Sequence, residues 1–464
     1  MKIETRSIDF IPVEERHGKA RHLFPVWFGA NMHLTTLVTG AVIFTLMHSL
    51  FWTIAAIIIG NAIGALFVAS HSAQGPQLGI PQMIQSRAQF GVIGAIIPLI
   101  SAMFIYFGYL ISSGLLGAQA LASAFKIPLT PAIIILSAAT FLVVLFGYDL
   151  IHKLQKYFSW IFLIVFFIVT IIAFRLPVPE GSWSPGGFDP ILFMLGVSMN
   201  AAWQLSFAPY VADYSRYLPV DTSASGTFWY TFLGTVLGSV WMEVIGASLA
   251  LAIPHYLDNP SSHLAHIVFG GSVVFPMFIV IVLGQLSINI FNLYGAFMST
   301  ITVLEPFTKF RVTPLVRGLF ILTITFLGAV LTIWGQNSFM AIFSNFILFL
   351  GYCLIPWTAI NLIDYYLLRK GHYSIKDIFD LNGKYGKVNW VTISAYIISI
   401  VLQIPFMKTS FYTGPIARIL HGADIAWAIG LILPFILYYF PMKRKIKSSD
   451  SSKIIINNEE VEQS

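Results

Sequence analysis

The chain is 464 residues long; 57% of them are hydrophobic and only 10% are charged. A soluble protein carries about 25% charged residues. With a mean hydropathy of +0.80, this chain cannot coat the soluble domains that its length would otherwise fill. An ordinary cytosolic enzyme, a disordered chain and a coiled coil are excluded, leaving an all-α polytopic membrane protein. The net charge of +6 sits in loops and ends, which points to membrane topology rather than to a nucleic-acid partner. The single cysteine, Cys353, stands in an apolar run. It excludes an internal disulfide and reads as a small buried residue.

Apolar stretches recur at roughly 23–47, 51–70, 91–122, 131–147, 157–176, 188–212, 227–253, 273–303, 317–335, 339–367, 389–406 and 425–442. Each is long enough to cross a bilayer as a helix of about 20 residues, so about twelve transmembrane helices are expected. The third, eighth and tenth are long and must tilt, bend or protrude. An even count places both ends on one side. Of the 26 lysines and arginines, all but Lys126, Arg175, Lys408 and Arg418 fall on that side. The positive-inside rule then predicts a plasma-membrane protein with both termini in the cytoplasm. Residues 1–22 form a basic cytoplasmic segment with no apolar core before Leu23, so the first stretch reads as a retained helix. Residues 371–388 read as a polar cytoplasmic loop, and 443–464 as a tail that is basic and then acidic. The run GSWSPGG at 181–187 reads as an external turn.

A spanning helix needs only apolar residues, so polar residues and helix breakers inside one need a reason. The first stretch reads FPVWFGANMHLTTLVTG, with Gly29, Asn31 and His33 close together. Unwinding at Gly29 would free backbone carbonyls for a small cation; helix packing through small and polar residues is the alternative. The third contains Tyr106 and Phe107 before Gly108, which could be core packing or a stacking surface. The sixth reads NAAWQLSFAPYVADYSRY. Pro209 breaks its ladder, and Trp203, Gln204 and Ser206 lie just before it, a set that suits a flat, hydrogen-bonding ring. Asp213 and Arg216 could pair at i, i+3 as a latch. The eighth holds Gln285, Ser287, Asn289 and Asn292, of which Ser287 and Asn289 are oxygen sources for a hard cation or a substrate.

Glu243 is the one carboxylate well inside a stretch. It could carry a coupling proton or be a protonated structural group. The first and sixth stretches, five helices apart, are both interrupted; such matched interruptions mark the substrate site of inverted-repeat transporters. No Walker A motif is present, since GKA at 18–20 and GKV at 386–388 lack its pattern. There is no HExxH, and His255, His263 and His266 fall in an external loop.

Together, VWFGANM in the first stretch, YFG in the third, APYVADYSRYLP in the sixth and INIFNLYGAFMS in the eighth resemble the nucleobase–cation symporters, specifically the purine-cytosine permease branch. The segment IPWTAINLIDYYLLRKGHY also resembles the end of the family's tenth span. The resemblance implies a LeuT-type fold: one five-helix repeat at 23–176, an inverted one at 177–370, and two peripheral helices at 389–442. It implies substrate binding beside the two interruptions, through His33, Tyr106 in place of a stacking Trp, Gln204 with Ser206, and Asn289. It implies a sodium site from the carbonyls of Gly29 and Met32 with the Ser287 hydroxyl, beside Ile288 and Gly284. Ile288 replaces an expected hydroxyl, so proton coupling through His33, Glu243 or Asp213 is the alternative to sodium. The implied activity is import of a planar nitrogen heterocycle (cytosine, purine, uracil, hydantoin, allantoin or a thiamine-like compound) by cation symport, with no organic cofactor and no nucleic acid. Two other classes stand beside it. A membrane-embedded enzyme would need convergent acids or metal ligands, and only Glu243 is available. A non-transporting sensor would need an output domain.

Overall fold

A chain in lipid must satisfy its own backbone polar groups, and helices do so within one segment. The computed structural model describes residues 9–146, 148–269, 274–308 and 313–446. Lys2, Arg6, Lys309, Arg311 and most of the tail expected after 443 lie outside the described residues. Among the described residues nine helices are long and apolar enough to cross a membrane, and the bent pair Ala20–Ala30 and Leu34–Met47 makes a tenth. Shorter apolar pieces, Trp160–Ala173 and Trp390–Phe406, occupy the fifth and eleventh places. Every one of the twelve expected stretches is therefore helical.

Boundaries shift where local chemistry requires it. The third helix starts at Ile96 rather than near 91. Gly91, at φ +85°, ends the short helix Gln82–Phe90. Its Cβ-less face lies against the backbone of Lys387, 2.7 Å from where a Cβ would sit. The Val92 and Ile93 amides donate to the Gly386 and Lys387 carbonyls. The tenth helix, Phe339–Leu362, closes in a π-turn over Ile363–Leu368. There the buried Asp364 accepts from the Tyr373 and Tyr438 hydroxyls and from Arg369, tying the end of span ten to the following loop and to span twelve.

Two groups of helices pack through glycine. Span one meets span seven (Ala224–Ala252) so closely that a Cβ on Gly40 would overlap the Glu243 carbonyl, and one on Gly246 would overlap that of Leu37. Gly234 and Gly238 admit the Phe24 and Phe28 carbonyls, and Gly60 and Gly64 of span two (Leu50–Leu78) admit Val197 and Ala201 of span six. Spans one, two, six and seven are thus joined backbone to backbone. In the second group, span three (Ile96–Phe125) lies along span eight (Val274–Leu304), with spans four (Leu129–Phe146) and nine (Pro314–Gly335) behind them.

A candidate binding site at the two interrupted spans

The first helix runs through Gly29 to Ala30 and stops there; it resumes at Leu34 after a bend of 64°. The break therefore falls at Asn31–His33, two residues beyond the glycine expected to cause it. At the break the Asn31 amide nitrogen donates to the Trp27 carbonyl at 2.9 Å, which satisfies a carbonyl at the end of the first half. His33 follows in an extended conformation, φ −151° and ψ 163°. Gly29 has a different place: it lines a cavity, and its carbonyl receives the Met32 amide at 3.0 Å.

The sixth span is interrupted more gently. Its helix stops at Leu205, a 3-10 turn covers Ala208–Tyr210, and helix returns over Val211–Ser215. Pro209 has no N–H to offer the carbonyl four residues back, which is that of Leu205.

Behind this interruption lies a polar network. Asn31, Asn61, Asn200, Gln204, Thr235, Ser239 and Glu243 have no solvent exposure. Asn61 Nδ2 lies 2.6 Å from Glu243 Oε2, and Asn61 Oδ1 accepts from Gln204 Nε2 at 2.8 Å. Gln204 Oε1 accepts from Thr235 at 2.7 Å, and its Nε2 also reaches Ser239 Oγ at 2.9 Å. Ser239 donates to Asn31 Oδ1 at 2.7 Å. The chain of contacts thus runs from Glu243 through both interrupted spans. Gln204, expected to face substrate, is placed in this network with oxygen and nitrogen both engaged.

In front of the interruption the chemistry changes. A cavity of about 570 Å³ is lined by Phe24–Ala30 and Met32 of span one, Trp160 and Leu163 of span five, Phe207, Tyr210 and Tyr214 of span six, and Ile288 and Phe291 of span eight. Rings dominate it. Trp27 packs edge-on to Phe207 and Tyr214, with centroids at 5.8 and 5.4 Å, the edge-to-face geometry that aromatic pairs favour. The groups expected to bind a cation meet here: Gly29, Met32 and Ile288 share the cavity wall, and Ser287 is buried beside them.

Next to the cavity, where Phe207 meets Trp203 edge-on at 6.1 Å, His33, Trp203, Ser206, Tyr109, Ser113 and Asn289 converge. His33 is buried, with its ring 6.3 Å from that of Trp203 and its Nε2 3.4 Å from Thr36 Oγ1. Gly284 faces it, and a Cβ there would stand in ordinary contact, 3.7 Å from His33 Cβ. Asn289 Oδ1 accepts from Ser113 at 2.6 Å. Ser206 donates to the Trp203 carbonyl at 2.6 Å and accepts from the Tyr109 hydroxyl at 3.1 Å. Tyr109 meets Trp203 edge-on at 5.5 Å.

Tyr106, the span-three aromatic singled out from sequence, lies one turn away from this group. It packs on Gly295, on Tyr210 at 5.7 Å, and against a water-sized void shared with Pro209, Asp213 and Ser299. Tyr109 was therefore missed; the available signal was its i+3 spacing from Tyr106. Trp203 was noticed only as a neighbour of Gln204. Asp213 accepts the Gln82 amide at 2.7 Å, holding the end of span six against the Gln82–Phe90 helix. Arg216 donates to the Asp9 carbonyl and the Tyr217 hydroxyl.

Residues 10–430 match the family model described as permeases for cytosine/purines, uracil, thiamine and allantoin. The chain belongs to this family. It is 58% identical over 447 residues to YxlA of Bacillus subtilis, which carries a purine-cytosine permease name, covering 96% of this chain and 97% of that one. It is 26% identical to the purine-cytosine permease fcyB of Emericella nidulans, over 93% of this chain and 86% of that one. Among solved structures it resembles Mhp1 in an inward-facing conformation, with a TM-score of 0.78 at 19% identity, covering 97% of this chain and 95% of Mhp1. A closed form of Mhp1, a nucleobase-cation-symport-1 family transporter with bromovinylhydantoin bound, gives a TM-score of 0.76 at 18% identity, covering 97% of each chain. The fold expected from the resemblance, a LeuT-type bundle of twelve helices, is the fold observed.

Proposed function

We propose that this permease imports a planar nitrogen heterocycle across the plasma membrane by cation symport, with both termini in the cytoplasm. One observation carries the reading: a ring-lined cavity of about 570 Å³ opens at the break of span one, and its Phe207 meets Trp203 of a polar cluster drawn from spans one, three, six and eight. A flat heterocycle can stack on Trp203 or Tyr109 and exchange hydrogen bonds with His33, Ser206 and Asn289, which together offer donors and acceptors. The names of the relatives point the same way, as does the hydantoin bound by Mhp1.

A cation, sodium or proton, couples to this binding. The carbonyls of Gly29 and Met32 and the hydroxyl of Ser287 belong to the two spans that meet at the cavity. A sodium ion at that junction would hold the bent first span in the shape that accepts substrate. Each ligand then raises the affinity of the other, because linkage is reciprocal. Movement of spans one, two, six and seven as one body against spans three and eight opens the site to each face in turn.

The test is a thermal-unfolding screen of the purified protein against cytosine, hypoxanthine, uracil, allantoin and thiamine, with and without sodium and at two pH values. A ligand at 100 times its Kd stabilises the folded state by about 2.7 kcal/mol. At least one heterocycle is expected to raise the midpoint, and more so with the coupling cation present. No shift with any of the five would contradict the proposal.

A further inference from the structure

We infer that Glu243 holds the coupling proton of transport, at a site separate from the junction of spans one and eight. The inference rests on the symport reading above and names its ion.

The argument starts from the count of protons. The Asn61 amide nitrogen has two hydrogens and faces three oxygens: Ile57 O at 2.9 Å, Asn200 Oδ1 at 3.2 Å and Glu243 Oε2 at 2.6 Å. Glu243 thus receives at most one hydrogen bond from it, and its second oxygen, Oε1, is buried without a partner. Among the described residues no cation is bonded to the carboxyl. An ionised carboxylate in such a place would be buried with a single neutral donor, which is very costly, whereas the protonated acid is tolerated inside a membrane. The carboxyl is therefore protonated in this conformation.

The other groups near it do not supply or quench the charge. Span two brings Asn61, and its His71 stacks on Trp357 at 4.8 Å. Span six brings Asn200. Span one brings the Gly40 backbone, and its His33 packs on Trp203. Span three brings Tyr109, whose hydroxyl is committed to Ser206. On span seven itself, Tyr230 is 41% exposed. Glu243 is the acid of this region.

Its position makes a proton there consequential. Through Asn61, Gln204 and Ser239 the carboxyl is connected to Asn31, the first residue of the break in span one. Loss of the proton leaves a buried anion that must gain donors or water. Asn61 can give more only by releasing Asn200 or the Ile57 carbonyl. Deprotonation thereby disturbs the contacts that tie both interrupted spans to span seven, and protonation restores them. The span-eight wall fits a proton better than sodium, since Ile288 and Gly284 add no side-chain oxygen beside Ser287.

Two measurements on the full-length protein test this. In proteoliposomes free of sodium, with the membrane potential clamped, uptake of labelled cytosine, hypoxanthine, uracil and allantoin is driven by an inward proton gradient. One proton per substrate converts each pH unit into up to about tenfold accumulation. Wild type is expected to accumulate a probe. Glu243→Gln, which mimics the neutral acid, is expected to exchange that probe in counterflow but to hold the inside-to-outside ratio near one. In parallel, infrared spectra at neutral pH are expected to show a protonated-carboxyl C=O band in wild type that Glu243→Gln loses. Equal accumulation by the variant, or no difference in that band, overturns the inference. A wild type that takes up none of the four probes contradicts the heterocycle reading, while the infrared arm still decides whether Glu243 carries a proton.

Discussion

Spans one, two, six and seven enclose polar side chains that bond one another, and they touch through glycine. The seam between that group and spans three and eight is built of rings and left hollow. Asn61, Gln204 and Ser239 spend their hydrogen bonds inside the first group, whereas Trp27, Phe207 and Phe291 line open space in the second. The difference teaches which part is built to stay together and which to part. Buried hydrogen-bonded networks are expensive to leave half-made, so separation falls at the seam, where ring contacts are joined by few hydrogen bonds, Tyr109 to Ser206 and Thr35 to Gln285 among them.

Substitutions should split along the same line. The largest effect is expected for Gly40→Leu, which drives a side chain into the Glu243 carbonyl. Overpacking typically costs about 1–3 kcal/mol and more where backbone must move, so thermal unfolding should show little folded protein. Gly114→Ala on span three is the contrast: its Cβ would make an ordinary contact, 3.5 Å from Asn289 Nδ2, and the unfolding midpoint should hardly change. Equal loss in both would erase the distinction between the two groups.

Asn61→Ala comes next. It strands Glu243, at about 1–3 kcal/mol for a buried group left unsatisfied, while Gln204 Nε2 keeps Ser239. That loss should appear in unfolding, with heterocycle affinity in the surviving protein changed far less. Asn289→Ala should do the reverse, weakening heterocycle binding by about 1–3 kcal/mol if it strands a polar group of the ligand; isothermal titration at matched protein stability separates the two. The smallest effect is a pair on span three. Tyr109→Phe removes the hydroxyl bonded to Ser206 and should cost about 0.5–1.5 kcal/mol in binding. Tyr106→Phe, one turn away, should leave binding unchanged. Equal effects would show that one turn of span three does not separate the binding group from the packing around Gly295.

Much of the fold was legible in the order of residues, because depth in a membrane is written in hydropathy. Twelve apolar stretches became twelve helices, and both interruptions fell where polar residues clustered. The partners on other helices were harder to read. Tyr106 and Tyr109 share one face of span three, yet about 4.5 Å of depth puts one against Gly295 and the other against Trp203. Gln204 and Trp203 are adjacent and both reach Ser239 Oγ, but only Trp203 also packs beside His33. The break was expected at Gly29 because glycine permits unwinding; it occurred at Asn31–His33, where Asn31 is held by the Trp27 carbonyl and by Ser239 of span seven, a partner far away in sequence.

The central claim is that a planar heterocycle binds where the hollow between spans one and eight meets the cluster around Trp203. It is tested most directly by cysteine protection. In a Cys353→Ser background, Ile288→Cys lines the cavity, and Ser410→Cys on an exposed loop serves as the control. A bound heterocycle from the screen is predicted to slow labelling of position 288 by a small polar thiol reagent while leaving position 410 unaffected. Labelling at 288 that proceeds at the same rate with saturating cytosine, hypoxanthine, uracil, allantoin or thiamine would contradict the account.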